Sequence, residues 1–409
     1  MVSCAPERLP RQKGHWQSRR RFDSFRGPVK TTATSSSARR PTTGGGVPLC
    51  VDLDGTLIRS DMLWESMVRL LRRNPLWLPA LLFWWLRGRA CLKAQIARRV
   101  TVDASTLPYQ EDLLDFLHAE ARTGRRLVLA TASDEALALP VARQVGLFAE
   151  TLASNGRLNL RGANKARVLA ERFGERGFDY AGNSSVDLPV WARARQAVVV
   201  NASPRLLRRA QAVAKIGGVF GEAPARLGQF WEAMKPTGWL RNLVVFAVPF
   251  LGPSDALAAN LGQAGLAFCG LCLCFSAMAV LTCLVDLDSD RSDPERCDLP
   301  FASGQLPLSW GVSGAPLLLL AAAALCLALP LAYAAVLAAF VAAAVCSIRW
   351  NGRFVPTDVL IIMSLDLLRL LAGHAATGQA APWWWLAIWA AVSLRLAMLT
   401  LRLRATHDP

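Results

Sequence analysis

Residues 47–56 read Val-Pro-Leu-Cys-Val-Asp-Leu-Asp-Gly-Thr, and this stretch decides the fold of the first half of the chain. Its apolar part is typical of a buried strand, and two carboxylates, Asp52 and Asp54, follow at the strand end, where Gly55 turns the chain. Strands that alternate with helical patterns predict a parallel sheet whose ligands bind beyond the carboxyl ends of the strands. Three further apolar runs of this kind begin near Arg125, Phe178 and Ala197.

Two carboxylates two residues apart can divide the work of phosphate-ester chemistry. One attacks phosphorus and the other moves a proton, while a divalent cation masks their charge. Other polar groups follow in order at strand ends and at a helix start: Thr131, Lys165, and the segment from Asn183 to Asp187. The four groups predict one phosphate-handling site.

Together these residues resemble the motifs of haloacid dehalogenase (HAD)-type phosphatases. The resemblance implies an α/β HAD-like, Rossmannoid domain with a helical cap. It makes Asp52 the nucleophile that forms an aspartyl-phosphate, and Asp54 the acid/base. Both would ligate Mg²⁺, Asp54 through its backbone carbonyl.

The later HAD motifs carry further expectations. Thr131 would be the phosphate-binding hydroxyl, and Lys165 would neutralise the phosphoryl oxygens. Asn183 stands where the family usually has an Asp, and it would offer Mg²⁺ an oxygen with less charge. Asp187 would complete the metal site.

Residues 59–105 interrupt the alternation with a helical insert, interpreted as the cap. Its run Leu76–Leu86 is very apolar and contains three tryptophans, but eleven residues cannot span a bilayer as a helix. A face on the membrane surface, a face on a second domain and an ordinary cap core all remain open. We expect the HAD-like domain at residues 48–205 and a linker or interfacial helix at 206–238.

From residue 239 to 409 the sequence predicts an all-α, multi-pass transmembrane bundle of about six helices. In the segments that follow the spans, basic residues occur only after the even-numbered spans, which places both ends and the HAD-like domain in the cytoplasm by the positive-inside rule. The predicted spans are 239–252, 258–285, 306–328, 330–348, 356–376 and 382–402. The basic residues are Arg291, Arg296, Arg349, Arg353, Arg402 and Arg404.

A second acidic segment, Asp286-Leu-Asp-Ser-Asp290-Arg291, ends the second predicted span. Asp286 and Asp290 are four residues apart and share one helix face. Such a pair could hold Mg²⁺ against a phosphate or diphosphate at the membrane surface. A charged loop that merely anchors the helix explains the spacing equally well.

The wider sequence around this segment resembles UbiA-type prenyltransferases, and in particular their decaprenyl-phosphate phosphoribosyltransferase branch. The quoted similarities are Lys235 to Asn242, Asp286 to Pro307, and Asp358 to Gly373. The resemblance implies a polyprenyl phosphate or diphosphate substrate, with Mg²⁺ on Asp286 and Asp290. The residues implied to contact phosphate or to line the pocket are Lys235, Arg241, Asn242, Arg291 and Arg369. For Arg369, packing between helices or contact with lipid headgroups is an equal alternative.

Two departures from the UbiA pattern limit these expectations. Thr282 and Cys283 replace the usual Asn-Asp, which removes one carboxylate. The family also has nine helices, with a second aspartate-rich loop after the sixth, so the membrane half is expected to be truncated. The expected function is a Mg²⁺-dependent UbiA-family prenyltransferase with an HAD phosphatase domain that acts on a phosphorylated small molecule. The alternative is a membrane-anchored phosphatase whose UbiA-like half is inactive.

Composition supports a membrane partner over a nucleic acid. The net charge is +16, and the basic residues lie in a leader and in loops between apolar segments, which fits anionic lipids. Residues 1–47 hold ten Lys or Arg and two acids, so we expect a disordered tail or, alternatively, a transit peptide. The ten cysteines are scattered, and their spacing predicts neither a disulfide framework nor a zinc site.

Overall fold

The computed structural model describes residues 46–155, 159–223, 225–251, 253–350 and 355–407. The predicted basic leader, apart from its last two residues, lies outside the described residues, and so does Arg353. The described chain consists of a sheet domain followed by a bundle of long apolar helices. The predicted order of an α/β domain and an all-α membrane domain is therefore confirmed.

Six parallel strands form one sheet, in the order β3-β2-β1-β4-β5-β6. The segment Asp52-Leu-Asp-Gly-Thr56 follows the central strand β1, and all three residues of β1 are buried. Its two neighbours contribute the other polar strand ends, so the order of the strands assembles the site. The strands are β1 Leu49–Val51, β2 Leu127–Asp134, β3 Glu150–Ser154, β4 Asp179–Gly182, β5 Gln196–Val200 and β6 Lys215–Phe220.

The sequence analysis missed two of these strands, β3 and β6. The residues of β6 alternate between exposed and half-buried at the sheet edge, and Gly217 and Gly218 weaken its strand pattern. The register pairs Val200 with Phe220. The structure therefore extends the sheet domain from the predicted residue 205 to residue 220, and the first part of the predicted linker, residues 206–220, belongs to the sheet domain.

Helices cover both faces of the sheet, as a parallel sheet requires. One face packs against the cap helices through Val51, Leu129 and Ile96, and the other packs Cys50 and Val128 against Trp191. The helices of this domain are α1 Met62–Arg73, α2 Leu78–Leu86, α3 Arg89–Ala97, α4 Glu111–Arg122, α5 Glu135–Val145, α6 Ala163–Phe173, α7 Leu188–Arg193 and α8 Pro204–Val213. The first three form the cap.

The second half of the chain is helical. A 3₁₀ helix at Pro236–Leu251 precedes its long helices. The helices are α9 Arg226–Ala233, α10 Leu257–Val285, α11 Leu287–Ser292, α12 Leu308–Cys326, α13 Leu331–Trp350, α14 Val355–Thr377 and α15 Trp383–His407.

Within the described residues, four helices are long and apolar enough to cross a membrane, not six. They are Leu257–Val285, Leu308–Cys326, Leu331–Arg349 and Thr357–Thr377. The first predicted span is the 16-residue 3₁₀ helix, which contains Arg241 and Pro249. The described apolar part of the sixth, Trp383–Leu399, has 17 residues, which is at the lower end of the length that spans a bilayer.

The cap packs directly on the membrane domain. Val68 of α1 belongs to one buried cluster with Leu284 at the end of α10 and with Phe301. Gly304 has a φ of +74° and lies against Arg59, where a Cβ would come within 2.6 Å of the arginine side chain. A close backbone approach therefore joins the two domains.

Candidate active site and the second acidic segment

Asp52 lies at the carboxyl end of β1, between β2 and β4. Its N–H donates to the carbonyl of Ala181 at 3.0 Å, which extends the sheet by one residue. Its Oδ1 accepts hydrogen bonds from the N–H of Leu53 and from Lys165 Nζ, both at 2.9 Å. A backbone N–H and a cation thus both fix the same carboxylate oxygen.

Lys165 approaches from the first turn of α6, and its side chain is 3% exposed. A cation at a helix N-terminus opposes the helix dipole, so the contact with Asp52 offsets an unfavourable position. Lys165 Nζ also donates to the Tyr180 hydroxyl at 2.8 Å. Burial raises the pKa of Tyr180, so the hydroxyl stays protonated and donates to Asp187 at 3.0 Å.

Asp54 is held between the cap and the sheet. Its Oδ1 accepts from the N–H of Met62, the first residue of α1, at 2.8 Å. Its Oδ2 accepts from the Ser133 hydroxyl at the end of β2, at 2.6 Å. Any movement of the cap helix would therefore move this carboxylate.

The pKa values of the two carboxylates are both raised. Burial raises the pKa of Asp52 to about 7, although Lys165 lowers it in part. Burial, followed by the charge of Asp61, raises the pKa of Asp54 to about 6. A pKa near neutrality suits Asp54 for proton transfer, and a bound cation would favour the ionised form of Asp52 that a nucleophile needs.

Thr131 and Ser133 present two hydroxyls at the same sheet edge. Leu129 pairs with Val51 in the register, so Thr131 lies beside the segment that follows Asp52. Thr131 is fully buried, and its hydroxyl accepts from the N–H of Ser133 at 3.0 Å. The sequence analysis missed Ser133, although the two-residue period of a strand places it on the same face as Thr131.

Asp187, predicted to ligate Mg²⁺, accepts hydrogen bonds within its own loop. Its Oδ2 accepts from the N–H groups of Asn183 (3.1 Å) and Ser184 (2.9 Å) and from the Ser184 hydroxyl (2.9 Å), while its Oδ1 accepts from Tyr180. Because both oxygens already have donors, Asp187 positions the loop that carries Asn183. This geometry favours loop positioning over direct contact with a metal ion.

Asn183 packs against the turn that follows Asp54. Gly55 has a φ of +73°, and a Cβ there would lie 2.0 Å from Asn183 Nδ2. Glycine is therefore required at this turn both by the backbone and by the space that Asn183 fills. The contact places the amide at the same edge as the two aspartates, as predicted from the motif.

The residues at this edge fit a Mg²⁺ ion through oxygen atoms of several kinds. In the described parts of the chain, no three His, Cys, Asp or Glu side chains group together as metal ligands. The available oxygens are the Asp52 carboxylate, the main-chain carbonyl of Asp54 and the Asn183 amide. Oxygen ligands of this type suit Mg²⁺, which retains several waters.

The cap contributes a cation that the sequence analysis did not single out. Lys93 in α3 donates to the carbonyl of Ala132 at 3.1 Å. Its charge lowers the pKa of Asp54, although burial and Asp61 outweigh it. Lys93 and Ser133 line the same narrow cleft under the cap. Only the tertiary fold brings this lysine to the site, because it follows Asp54 by almost forty residues.

The second acidic segment begins where α10 ends. Asp290 in α11 is buried, and its pKa is raised by burial and then by Asp286, so the two predicted ligands do lie near each other. Lys235 lowers the same pKa, and Arg296 Nη1 approaches Asp290 Oδ1 at 3.6 Å. Of the predicted residues, Lys235 thus remains beside the acidic pair.

Arg291, predicted to contact phosphate, is paired with the cap instead. Its guanidinium donates to Glu65 Oε1 at 2.7 Å and to Oε2 at 3.2 Å, and to the carbonyl of Ala302 at 3.1 Å. Glu65 is fully buried in α1, and Arg69 also donates to it at 2.6 Å. Arg69 and Arg72 bind Asp288 at 2.6 and 3.1 Å. The segment is therefore built into the contact between the domains.

Asn242 and Arg369 form a separate buried group. Arg369 Nε donates to Asn242 Oδ1 at 2.9 Å and Nη1 donates to Asp366 Oδ1 at 2.6 Å. The guanidinium also lies 5.2 Å from the centre of the Phe340 ring. Arg369 thus packs between helices, which was the alternative to its predicted role. Arg241 is exposed and lines a cavity of ≈ 330 Å³ with Asp366 and two tryptophans.

Comparison with known proteins assigns the two halves of the chain. Residues 49–192 match the family model of haloacid dehalogenase-like hydrolases. Among solved structures, an HAD family hydrolase from Salmonella enterica serovar Typhi aligns with 44% of this chain and 71% of its own, at 14% identity and a TM-score of 0.33. The family model, which covers residues 49–192, identifies the sheet domain as a haloacid dehalogenase-like domain.

Two curated relatives extend the comparison. The uncharacterized protein y4nM of Sinorhizobium fredii is 30% identical over 82% of this chain and 66% of its own length. A decaprenyl-phosphate phosphoribosyltransferase of Mycolicibacterium smegmatis is 27% identical over 41% of this chain and 54% of its own length, and this similarity lies in the membrane half. The chain thus spans between half and two thirds of these relatives, and the fusion of the two domain types is confirmed.

Proposed function

We propose that this chain is a membrane enzyme whose sheet domain hydrolyses a phosphomonoester through Asp52. The observation that supports this most strongly is the convergence on one sheet edge of a carboxylate paired with a buried lysine and a second carboxylate held by Ser133 and the cap. Each member matches a role that phosphate transfer requires: nucleophile, charge neutralisation and proton transfer.

The reaction follows from these positions. An oxygen of Asp52 forms a bond to phosphorus while the ester P–O bond breaks, and Asp54 gives its proton to the leaving oxygen. Water then attacks phosphorus with Asp54 as base, which releases phosphate and restores Asp52. Lys165 and Thr131 are placed to hold phosphoryl oxygens. Bound Mg²⁺ would supply positive charge at the oxygens of Asp52, the Asp54 carbonyl and Asn183.

Phosphate release from p-nitrophenyl phosphate by the full chain in lipid nanodiscs with Mg²⁺ tests the proposal. Asp52→Asn should lower the rate by at least about 10⁴-fold, because the nucleophile is removed with little change in shape. Asp115→Asn is the matched control, since this aspartate is exposed on α4 and is not among the residues assigned to the site. Equal rates for Asp52→Asn and the unmodified chain would refute the proposal.

We further propose that the membrane half binds a polyprenyl phosphate or diphosphate with Mg²⁺ at Asp286 and Asp290, and transfers a prenyl or polyprenyl-phosphate group. Similarity to decaprenyl-phosphate phosphoribosyltransferases supports this, as does the position of Lys235 beside the acidic pair. The ion pair between the cap and Arg291, which lies in the arginine-bearing segment after α10, favours a cell-membrane protein with the sheet domain in the cytoplasm, where the positive-inside rule places these arginines. Formation of a lipid product from prenyl diphosphates, phosphoribosyl diphosphate and Mg²⁺ would support transfer.

One observation favours the simpler alternative, a membrane-anchored phosphatase. Arg291 is engaged by Glu65, and Asp288 by two arginines of the cap, so much of the second acidic segment serves the contact between domains. Under this alternative the same incubation yields no lipid product, while phosphate release still depends on Asp52. The two readouts together separate the two proposals.

A further inference from the structure

The outer side of the cap carries a run of exposed large apolar side chains. All of them lie within eleven consecutive residues, and each is more than half exposed. They are Leu76 (81%), Leu78 (61%), Leu82 (59%), Phe83 (53%), Trp85 (58%) and Leu86 (72%). We call this run the apolar cap face. A continuous exposed patch of this kind marks an interaction surface.

The apolar cap face belongs to a folded helix. Leu81 and Trp84 of α2 point the other way and are buried in the cap core, and Trp84 packs on Trp77 at 5.7 Å between ring centres. All nine residues of α2 are apolar. A helix that is apolar on every side is expected where both sides meet apolar surroundings. The protein itself supplies these on one side only.

Basic residues surround the face. Residues 66–102 contain eight Lys or Arg and no Asp or Glu. Arg87 lies over the Phe83 ring, 4.8 Å from its centre. The exposed arginines of this region are Arg72, Arg73, Arg87, Arg98 and Arg99. An apolar surface with aromatic side chains and a basic border matches the interface of an anionic bilayer.

The face lies close to the membrane domain. Arg72 binds Asp288, which is three residues past the end of α10, a helix long enough to cross a membrane. Leu76 follows Arg72 by four residues, so their Cα atoms are at most about 14 Å apart. The face therefore continues the established contact between the cap and the membrane domain.

We propose that the apolar cap face inserts into the anionic leaflet of the same bilayer that the long helices cross. Helix α2, about 13 Å long, is too short to span and lies in the interface. The insertion does not rest on phosphatase activity. It does join the lipid surface to the candidate site, because α1 begins with the Met62 N–H on Asp54 and ends next to the face.

Photolabelling from the lipid side tests this proposal. The full chain is placed in nanodiscs that contain phosphatidylglycerol with a diazirine in the acyl chain, and the irradiated protein is digested with trypsin. Cleavage after Arg73 and Arg87 gives the peptide 74–87, which contains the whole apolar cap face. We expect lipid adducts on this peptide and none on peptide 196–205, which contains β5. Labelling should weaken when diazirine-tailed phosphatidylcholine replaces phosphatidylglycerol.

The variant L82E/W85E tests the same surface from the protein side. Both residues are more than half exposed, so the cap should still fold, and labelling of peptide 74–87 should fall by roughly ten-fold or more. V213E, a change at an exposed apolar position in α8, is the matched control and should leave labelling unchanged.

Three outcomes would overturn the proposal. Adducts confined to the membrane helices would show that the face does not enter the acyl region. The same result with a doubled particle mass in native mass spectrometry would assign the face to a second copy of the chain. Equal labelling in the two lipid compositions would remove anionic headgroups from the recognition.

Discussion

The two acidic segments, Asp52–Asp54 and Asp286–Asp290, are alike in sequence and differ in what surrounds them. In the first, the cation that contacts Asp52 is Lys165, which comes from within the sheet domain. In the second, cations and carboxylates of the cap bind Asp288 and Arg291 directly. Closely spaced aspartates thus acquire a catalytic or a connecting role from the cations that the fold brings to them.

The second segment also keeps one feature of the first. Asp290 is buried beside Asp286 and near Lys235, while Asp288 and Arg291 face the cap. The segment therefore has two sides, one that could hold a cation and one that contacts the cap. A ligand on the Asp290 side would therefore lie a single helical turn away from the cap.

Removal of the buried carboxylate of Glu65 in the cap should have the largest effect on the second acidic segment. Glu65→Gln leaves Arg291 buried without its ion pair, so we expect the free energy of unfolding to fall by about 3–5 kcal/mol. Thermal unfolding in nanodiscs measures the loss. Glu171→Gln is the control, because its pair with Arg167 is exposed.

A double variant tests whether the loss of stability arises from the ion pair between Glu65 and Arg291. Adding Arg291→Met to Glu65→Gln should recover part of the stability, since no buried charge is then left alone. If Glu65→Gln unfolds at the same temperature as the unmodified chain, the cap is not held by this contact.

Replacing the lysine beside each acidic segment should show whether the two segments have separate activities. Lys165→Met should lower phosphate release by about 10²–10³-fold, because a buried cation beside the transferred phosphoryl group is lost. Lys235→Met should leave phosphate release unchanged and affect only lipid transfer. Similar losses for both variants in the phosphatase assay would mean that the two segments act as one site.

Ser133 tests how Asp54 is held. Ser133→Ala removes a hydrogen bond to the carboxylate, and we expect kcat to fall by about ten-fold with little change in KM. The basic limb of the pH–rate profile should shift upward, because Asp54 must be protonated to act as the acid and the loss of a hydrogen bond that favours its ionised form raises its pKa. Ser133→Thr should restore much of the rate, and Ser105→Ala in the exposed part of the cap should have no effect.

Acidification should weaken the contact between domains. Burial opposes ionisation of Glu65, but Arg291 and Arg69 outweigh it and lower its pKa below the ordinary value. A lowered folded-state pKa stabilises the protein above the unfolded-state pKa, about 4.3, and this contribution is lost as pH falls through the folded-state pKa. The stability difference between the unmodified chain and Glu65→Gln should therefore narrow below about pH 4. A difference in the free energy of unfolding that stays constant with pH would contradict the lowered pKa of Glu65.

The exposed pair at the same contact should matter least. Arg72 is 42% exposed on its side chain, so Arg72→Ala should cost less than about 1 kcal/mol and the cost should shrink in high salt. A loss as large as that of Glu65→Gln would indicate that Asp288, not Glu65, holds the cap.

The sequence by itself determined the parallel sheet, the helical membrane half and the residues Asp52, Asp54, Lys165 and Asn183 at one sheet edge. Local apolar patterns encode buried strands and membrane helices. The carboxyl ends of parallel strands lie at the same edge of the sheet, independently of how the side chains pack. The sequence did not predict the edge strand β6, because its glycines and half-exposed residues lack such a pattern.

Only the tertiary structure decided which cations accompany each carboxylate. Asp187 accepts hydrogen bonds from its own loop, Arg291 pairs with Glu65 and Arg369 pairs with Asp366. The metal and phosphate contacts that their motifs indicated stay predictions. Arg291 and Glu65 are 226 residues apart, and no local pattern records a contact over that distance. The physical reason is that a buried charge takes the nearest opposite charge that the fold supplies, and sequence spacing alone does not reveal which one that is.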